Sequence, residues 1–124
     1  MSERINSFRD LRVHHEACAL DLAIFGATKS FPRDEMFSLT DQVRRSSRSV
    51  GANISETWAK CRYPAHFVRK LTDADGELQE TRHWIGRAQA YGYLAADGFA
   101  DFDAKCAHVG RMLGKMIQSP EDFT

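Results

Sequence analysis

A chain of 124 residues, 43% of them hydrophobic, is sized for one core, since domains cluster around 100 to 150 residues. Lys plus Arg and Asp plus Glu each number 17, so no global field draws the chain to phosphate or to anionic lipid, and any nucleic-acid contact has to be local. No apolar run approaches the roughly 20 residues of a membrane span, residues 1–10 lack the apolar middle of a secretion signal, and Cys18, Cys61 and Cys106 are too scattered for a zinc site or a disulfide framework. The expectation is a cytoplasmic protein with buried or interfacial thiols, no membrane contact and no cofactor.

From Leu11 to Lys29 there is no Pro and one Gly, and Val13, Ala17, Leu20, Ile24, Ala27 and Phe31 fall on one face at helical spacing. A second apolar set, Leu11, Cys18, Leu22 and Phe25, lies roughly 150° around the same helix. A small bundle has no central helix that needs two buried faces, so the second face predicts a subunit contact and hence oligomerisation.

Ser30-Phe31-Pro32 breaks this helix, and a short turn through residues 33–38 suits an antiparallel neighbour. Ser38 or Thr40 is placed to cap the second helix, Leu39 to Cys61, which is about 35 Å long at 1.5 Å per residue. Wound at 100° per residue it shows three stripes. Leu39, Val43, Ser46, Val50, Ile54, Thr57 and Cys61 form a core seam at alternating steps of three and four; Gln42, Arg45, Ser49, Asn53 and Glu56 form a polar row; Arg44, Arg48, Ser55 and Arg62 form a partly basic edge.

Pro64 sits where a first-turn proline belongs, opening a third helix to about Tyr91 with a sustained seam of Phe67, Leu71, Ala74, Leu78, Thr81, Ile85 and Ala88. Its flank, Asp73, Glu77, Glu80, Trp84 and Tyr91, begins acidic and ends aromatic. Gly92-Tyr93-Leu94-Ala95 makes the next turn. The last helix, residues 96–118, turns Phe99, Phe102, Cys106, Val109, Leu113 and Met116 inward before Ser119-Pro120 ends it. Helices at about 11–29, 39–61, 64–91 and 96–118, joined by short links and without a strand signal, predict a single all-α domain, an antiparallel up-down-up-down four-helix bundle, oligomeric.

From Phe8 to Leu94 the sequence resembles the bacterial four-helix-bundle proteins called 23S rRNA intervening-sequence proteins. The likeness lies in Phe8, Leu11, Val13 and Ala17; in Phe31-Pro32, Glu35, Phe37 and Leu39-Thr40; in Gln42, Arg44-Arg45, Ser49, Asn53-Ile54 and Glu56; and in Gly76, Leu78, Glu80 and Gly92-Tyr93-Leu94. The family commonly reads Asn-Ile-Ala-Glu-Gly where this chain has Ser55 and Thr57 in place of Ala and Gly, and it usually has Ser where this chain has Glu77. The resemblance implies an antiparallel bundle, commonly a ring of five subunits, with no established enzymatic activity. Some relatives are encoded inside ribosomal RNA insertions, and a more distant branch serves as basic accessory factors for reverse transcriptases.

Four groups of residues invite a functional reading. Arg44, Arg45, Arg48, Arg62, Arg69 and Lys70 cluster on the second helix and the start of the third, and repetition in a ring would multiply weak phosphate contacts. The plainer alternative is a solvated edge paired with Asp41, Asp73, Glu77 or Glu80. The row Gln42, Arg45, Ser49, Asn53 and Glu56 reads first as a hydrogen-bond ladder between helices or subunits and second as a polar ligand site, because it holds no nucleophile beside a base. His14 and Cys18 are one turn apart, but two ligands fall short of a zinc site, and Glu80 with His83 supplies the Glu-x-x-His spacing once only, so no metal is expected. Trp58, Trp84, Tyr91 and Tyr93 exceed what a seam needs, and Trp84 is the best candidate for a subunit contact beside Leu11, Cys18, Leu22 and Phe25. The expected function is non-catalytic: a homo-oligomer that binds RNA or another polyanion through repeated arginines or, alternatively, a protein adaptor or assembly scaffold.

Overall fold

The computed structural model describes residues 6–60 and 63–122. Four helices, α1 (Arg12–Thr28), α2 (Leu39–Ala59), α3 (Pro64–Ala90) and α4 (Ala96–Gln118), account for most of them, with single 3-10 turns at Phe8–Asp10, Arg33–Glu35 and Pro120–Asp122 and no strand among the described residues. Each helix follows from its seam. On α3 every predicted position, Phe67 through Ala88 at alternating steps of four and three, is buried. On α2 the predicted seam from Leu39 to Thr57 is buried as well, while Cys61 lies outside the described residues. On α4 Phe102, Cys106, Val109, Leu113 and Met116 are buried, and Phe99 is half-buried against them. The helices surround one core: α2 packs between α1 and α3, α3 between α2 and α4, and α1 also touches α4. Contact is most extensive between α2 and α3 and thinnest between α1 and α4.

The α2–α3 seam carries hydroxyls without leaving them unsatisfied. Thr81 donates to Ser46 Oγ across the helices at 2.9 Å, Ser46 donates onward to the Val43 carbonyl, and Thr57 donates to the Asn53 carbonyl. No buried side-chain nitrogen or oxygen among the described residues lacks a partner, which is what an interior of low dielectric demands. Among the described residues no helix is long and apolar enough to cross a membrane.

The helix ends are made as the sequence suggests at Pro64 and Gly92, and differently elsewhere. Pro64 occupies the first turn of α3. Gly92, at φ +83°, closes the far end as the left-handed residue of a Schellman motif, with Tyr93 N–H donating to the Ala88 carbonyl and Gly92 N–H to the Gln89 carbonyl. At the start of α2, Ser38 stands in the cap position but its side chain accepts nothing. Glu35 replaces it: the turn Arg33–Glu35 sets Glu35 under the first turn, where Oε1 accepts the Leu39 N–H at 3.4 Å. Thr40, the other expected cap, is buried.

Leu11 is the clear correction. It was expected on a subunit contact, yet it is 4% exposed and part of the core. The cause lies in front of it. Ser7 and Asp10 form a capping box around the turn Phe8–Asp10, and this turn folds back onto both α1 and α2, bringing Phe8 against the core and Leu11 underneath.

Candidate binding surfaces on the two sides of α2

The side of α2 that faces α1 is cationic. Phe25 of α1 is half-buried, and its ring is covered by the chain's own cations: Arg44 lies 4.7 Å from the ring centroid, Lys29 4.9 Å and Arg48 5.8 Å. Arg44 is also fixed by its Nε, which donates to Thr28 Oγ1 at 2.8 Å. Arginine stems and planes cover aromatic surface without burying the charge, so Phe25, read from the sequence as bare, is mostly roofed. Leu22, one turn before it, is not: it is 68% exposed. Arg48 is exposed beside Asp21, whose carboxyl burial pushes above the usual range while Arg48 draws it back.

Cys18 lies deeper on this face, half-buried, with Sγ 3.6 Å from His14 Nε2. Burial pushes the Cys18 thiol up and the His14 imidazole down. Both shifts favour the neutral pair, the opposite of an activated thiolate–imidazolium couple. Among the described residues no three His, Cys, Asp or Glu side chains gather closely enough to hold a metal ion.

On the side facing α3 the polar row is divided. Lys70 crosses from α3 to donate to Asn53 Oδ1 at 3.2 Å and to pair with Glu56 at 2.5 Å and Asp73 at 3.8 Å, while Asn53 Nδ2 donates to the Ser49 carbonyl. Lys70 is thereby drawn into a ladder between the two helices. Arg45 is exposed and faces Glu77, whose carboxyl is pushed up first by burial and then by Glu80. Arg69 is exposed and makes no ion pair among the described residues, and Arg62 lies outside them. The cations grouped in sequence therefore point in several directions: Arg44 and Arg48 from α2 towards α1, Arg45 from α2 towards α3, and Lys70 from α3 back towards α2.

Gln42, the first residue of the polar row, is elsewhere. It lines an open cleft of about 540 Å³ where the α1–α2 connection meets the end of α3, together with Glu35, Ser38, Leu39, Trp84, Tyr91 and Tyr93. Glu35 is the hinge pin. Tyr93 donates its hydroxyl to Glu35 Oε2 at 2.8 Å while Oε1 holds the Leu39 N–H, so one carboxylate ties the α1–α2 turn to the α3–α4 turn. That hydrogen bond pushes the Tyr93 hydroxyl above its usual range. The Tyr93 ring stands 5.6 Å from Phe31 and 5.8 Å from Tyr91, and Trp84 Nε1 donates to Glu80 Oε2 at 3.4 Å. Apolar side chains stand open in its wall and in the connection that leads to it: Tyr91 is 54% exposed, and Phe37 and Met36, between Glu35 and Ser38 in the chain, are 91% and 49% exposed. The aromatic surplus and Gln42 were visible as residues. Their convergence with Glu35 was not, because the bond that assembles the cleft joins positions 58 apart.

The family model for the 23S rRNA-intervening sequence protein matches residues 9–115. Among solved structures, a protein with unknown function from the S23 ribosomal protein family of Bacteroides thetaiotaomicron is similar, with 23% identity over 86% of this chain and 95% of that one and a TM-score of 0.77. At that identity the likeness is one of fold. A comparison with curated proteins finds no match.

Proposed function

The chain belongs to the 23S rRNA-intervening sequence protein family, and on that premise we propose that it is a non-catalytic, self-assembling scaffold or adaptor. Its helices run up-down-up-down: Ser46 meets Thr81 while the later Asn53 meets the earlier Lys70, and Arg82 meets Asp103 while Gly110 lies beside Leu78. The subunits close into a ring, five in number as the resemblance implies.

The observation that carries this reading is that, besides Tyr63 at the start of α3, apolar surface is left open in two separate places, Leu22 on the α1 side of α2 and Met36, Phe37 and Tyr91 by the cleft on the α3 side. Two different patches on one chain suit a head-to-tail contact, which closes into a ring when the rotation permits. The neutral, half-buried Cys18–His14 pair supports a role without nucleophilic chemistry. Size-exclusion chromatography of Leu22→Glu tests the proposal: wild type elutes as an oligomer and the variant as a folded monomer. A wild-type monomer, or a variant that assembles unchanged, contradicts it.

A second reading, polyanion binding by the assembled ring, rests on Arg45 and Arg69, which stay exposed and outside the ion pairs formed among the described residues. Titration with RNA at low and moderate salt decides it, since the absence of binding at the lower salt removes it.

A further inference from the structure

We infer that the cleft between Glu35 and Trp84 is one half of a subunit contact and that its occupant is Arg48 of a second copy of this chain. The inference rests on the self-assembly proposed above and names the residues that would hold it. The cleft has the composition that recognises an organic cation: a carboxylate, Glu35, held in place by two donors, and the aromatic side chains of Trp84, Tyr91 and Tyr93. None of its lining residues is a cation, and Arg87, 5.0 Å from the Tyr91 ring centroid, leaves Trp84 and Tyr93 as the aromatic faces for an incoming guanidinium. The two bonds that Glu35 accepts occupy one lone pair on each oxygen, so each retains acceptor capacity for a guanidinium. A second carboxylate, Glu80, stands beside Trp84 and strengthens the same sign of field.

The complement lies on the other side of α2. Arg48 is exposed, and the two α1 residues it lies against, Asp21 and Phe25, flank the open Leu22. Arg44 and Lys29 cover the same Phe25 ring and make the surroundings cationic. A chain with no net charge thus carries a cationic patch with an apolar centre on one side, and an acid-bearing aromatic cleft with open apolar side chains by it on the other. Leu22 of one copy would cover Phe37 and Met36 of the next while Arg48 enters the cleft. Charges of opposite sign set the register of such a contact, and like charges placed there oppose it.

The test is a charge exchange read by light scattering across a dilution series. Arg48→Glu is exposed on the surface and leaves the cleft intact; Glu35→Lys reverses the other half. Each single variant is expected to raise the concentration for half-assembly at least tenfold, and the double variant Glu35→Lys with Arg48→Glu is expected to recover most of that loss. If Glu35→Lys disturbs the turn it caps, visible as lost helical signal, Arg48→Gln measured beside Arg48→Glu reads the same contact without touching Glu35: assembly must weaken in both variants, and more in the Glu variant. A wild-type oligomer that is indifferent to Arg48→Glu overturns this inference while leaving self-assembly standing. A wild-type protein that stays monomeric overturns both.

Discussion

Phe67 and Phe37 are the same side chain in opposite states: one is 1% exposed in the core, the other 91% exposed in the connection between α1 and α2. Around Phe67 the α2–α3 seam repeats every three and four residues, and even its hydroxyls are paired. Around Phe37 the chain turns, the backbone is tied by Glu35 and Tyr93, and Met36 and Tyr91 stand open beside an aromatic cleft. The fold is held by the first region and does not require the second to be apolar. Apolar surface that stability does not need is what a contact surface looks like.

Substitutions should separate the two regions. The largest effect belongs to the seam: Phe67→Ala removes a buried ring and is expected to cost about 3–5 kcal/mol in urea unfolding. An effect under about 1 kcal/mol would mean that the interior is looser than its burial implies. Next comes Cys106, fully buried on α4, whose thiol burial pushes up to about 11 from 9.0. The folded state keeps this proton where the unfolded chain loses it, so the stabilisation is complete below pH 9 and disappears as the pH rises through 11. The loss attributable to Cys106 is about 2–3 kcal/mol. Measured as wild type minus Cys106→Ala, it should appear across that window and be flat from pH 6 to about pH 8; a flat difference throughout would refute it.

Thr81→Val, which keeps the shape and removes the bond to Ser46, is expected to cost about 1–2 kcal/mol by thermal unfolding. Phe37→Ser comes last, with stability unchanged within about 0.5 kcal/mol. Its effect belongs to assembly instead, where sedimentation should show weaker self-association. If Phe37→Ser unfolds the bundle, the division between the two regions is false.

Much of the interior was legible in the sequence because a seam is a local signal: the spacing of Leu39 to Thr57 and of Phe67 to Ala88 names the buried face without knowing the partner helix. Pro64 and Gly92 are local for the same reason. What escaped depends on residues far apart or on what covers a surface. Leu11 has the periodicity of a second apolar face, but a turn nucleated by Ser7 and Asp10 buries it. Phe25 has the same periodicity, and arginines from the next helix roof it. Glu35 was one residue of a family likeness, and its work at the cleft appears only once Tyr93 is brought beside it. Arg44 and Arg45 fall on different stripes of α2 already in the sequence, because neighbours diverge by 100° on a helix, and they accordingly face different helices.

The proposed second subunit would cover the open apolar surface, and the mass in solution tests that directly. Light scattering on wild-type protein from high to low micromolar concentration should return a multiple of the 14.1 kDa chain that falls on dilution or on Leu22→Glu. A mass of one chain at every concentration, with Leu22→Glu no different, would contradict it.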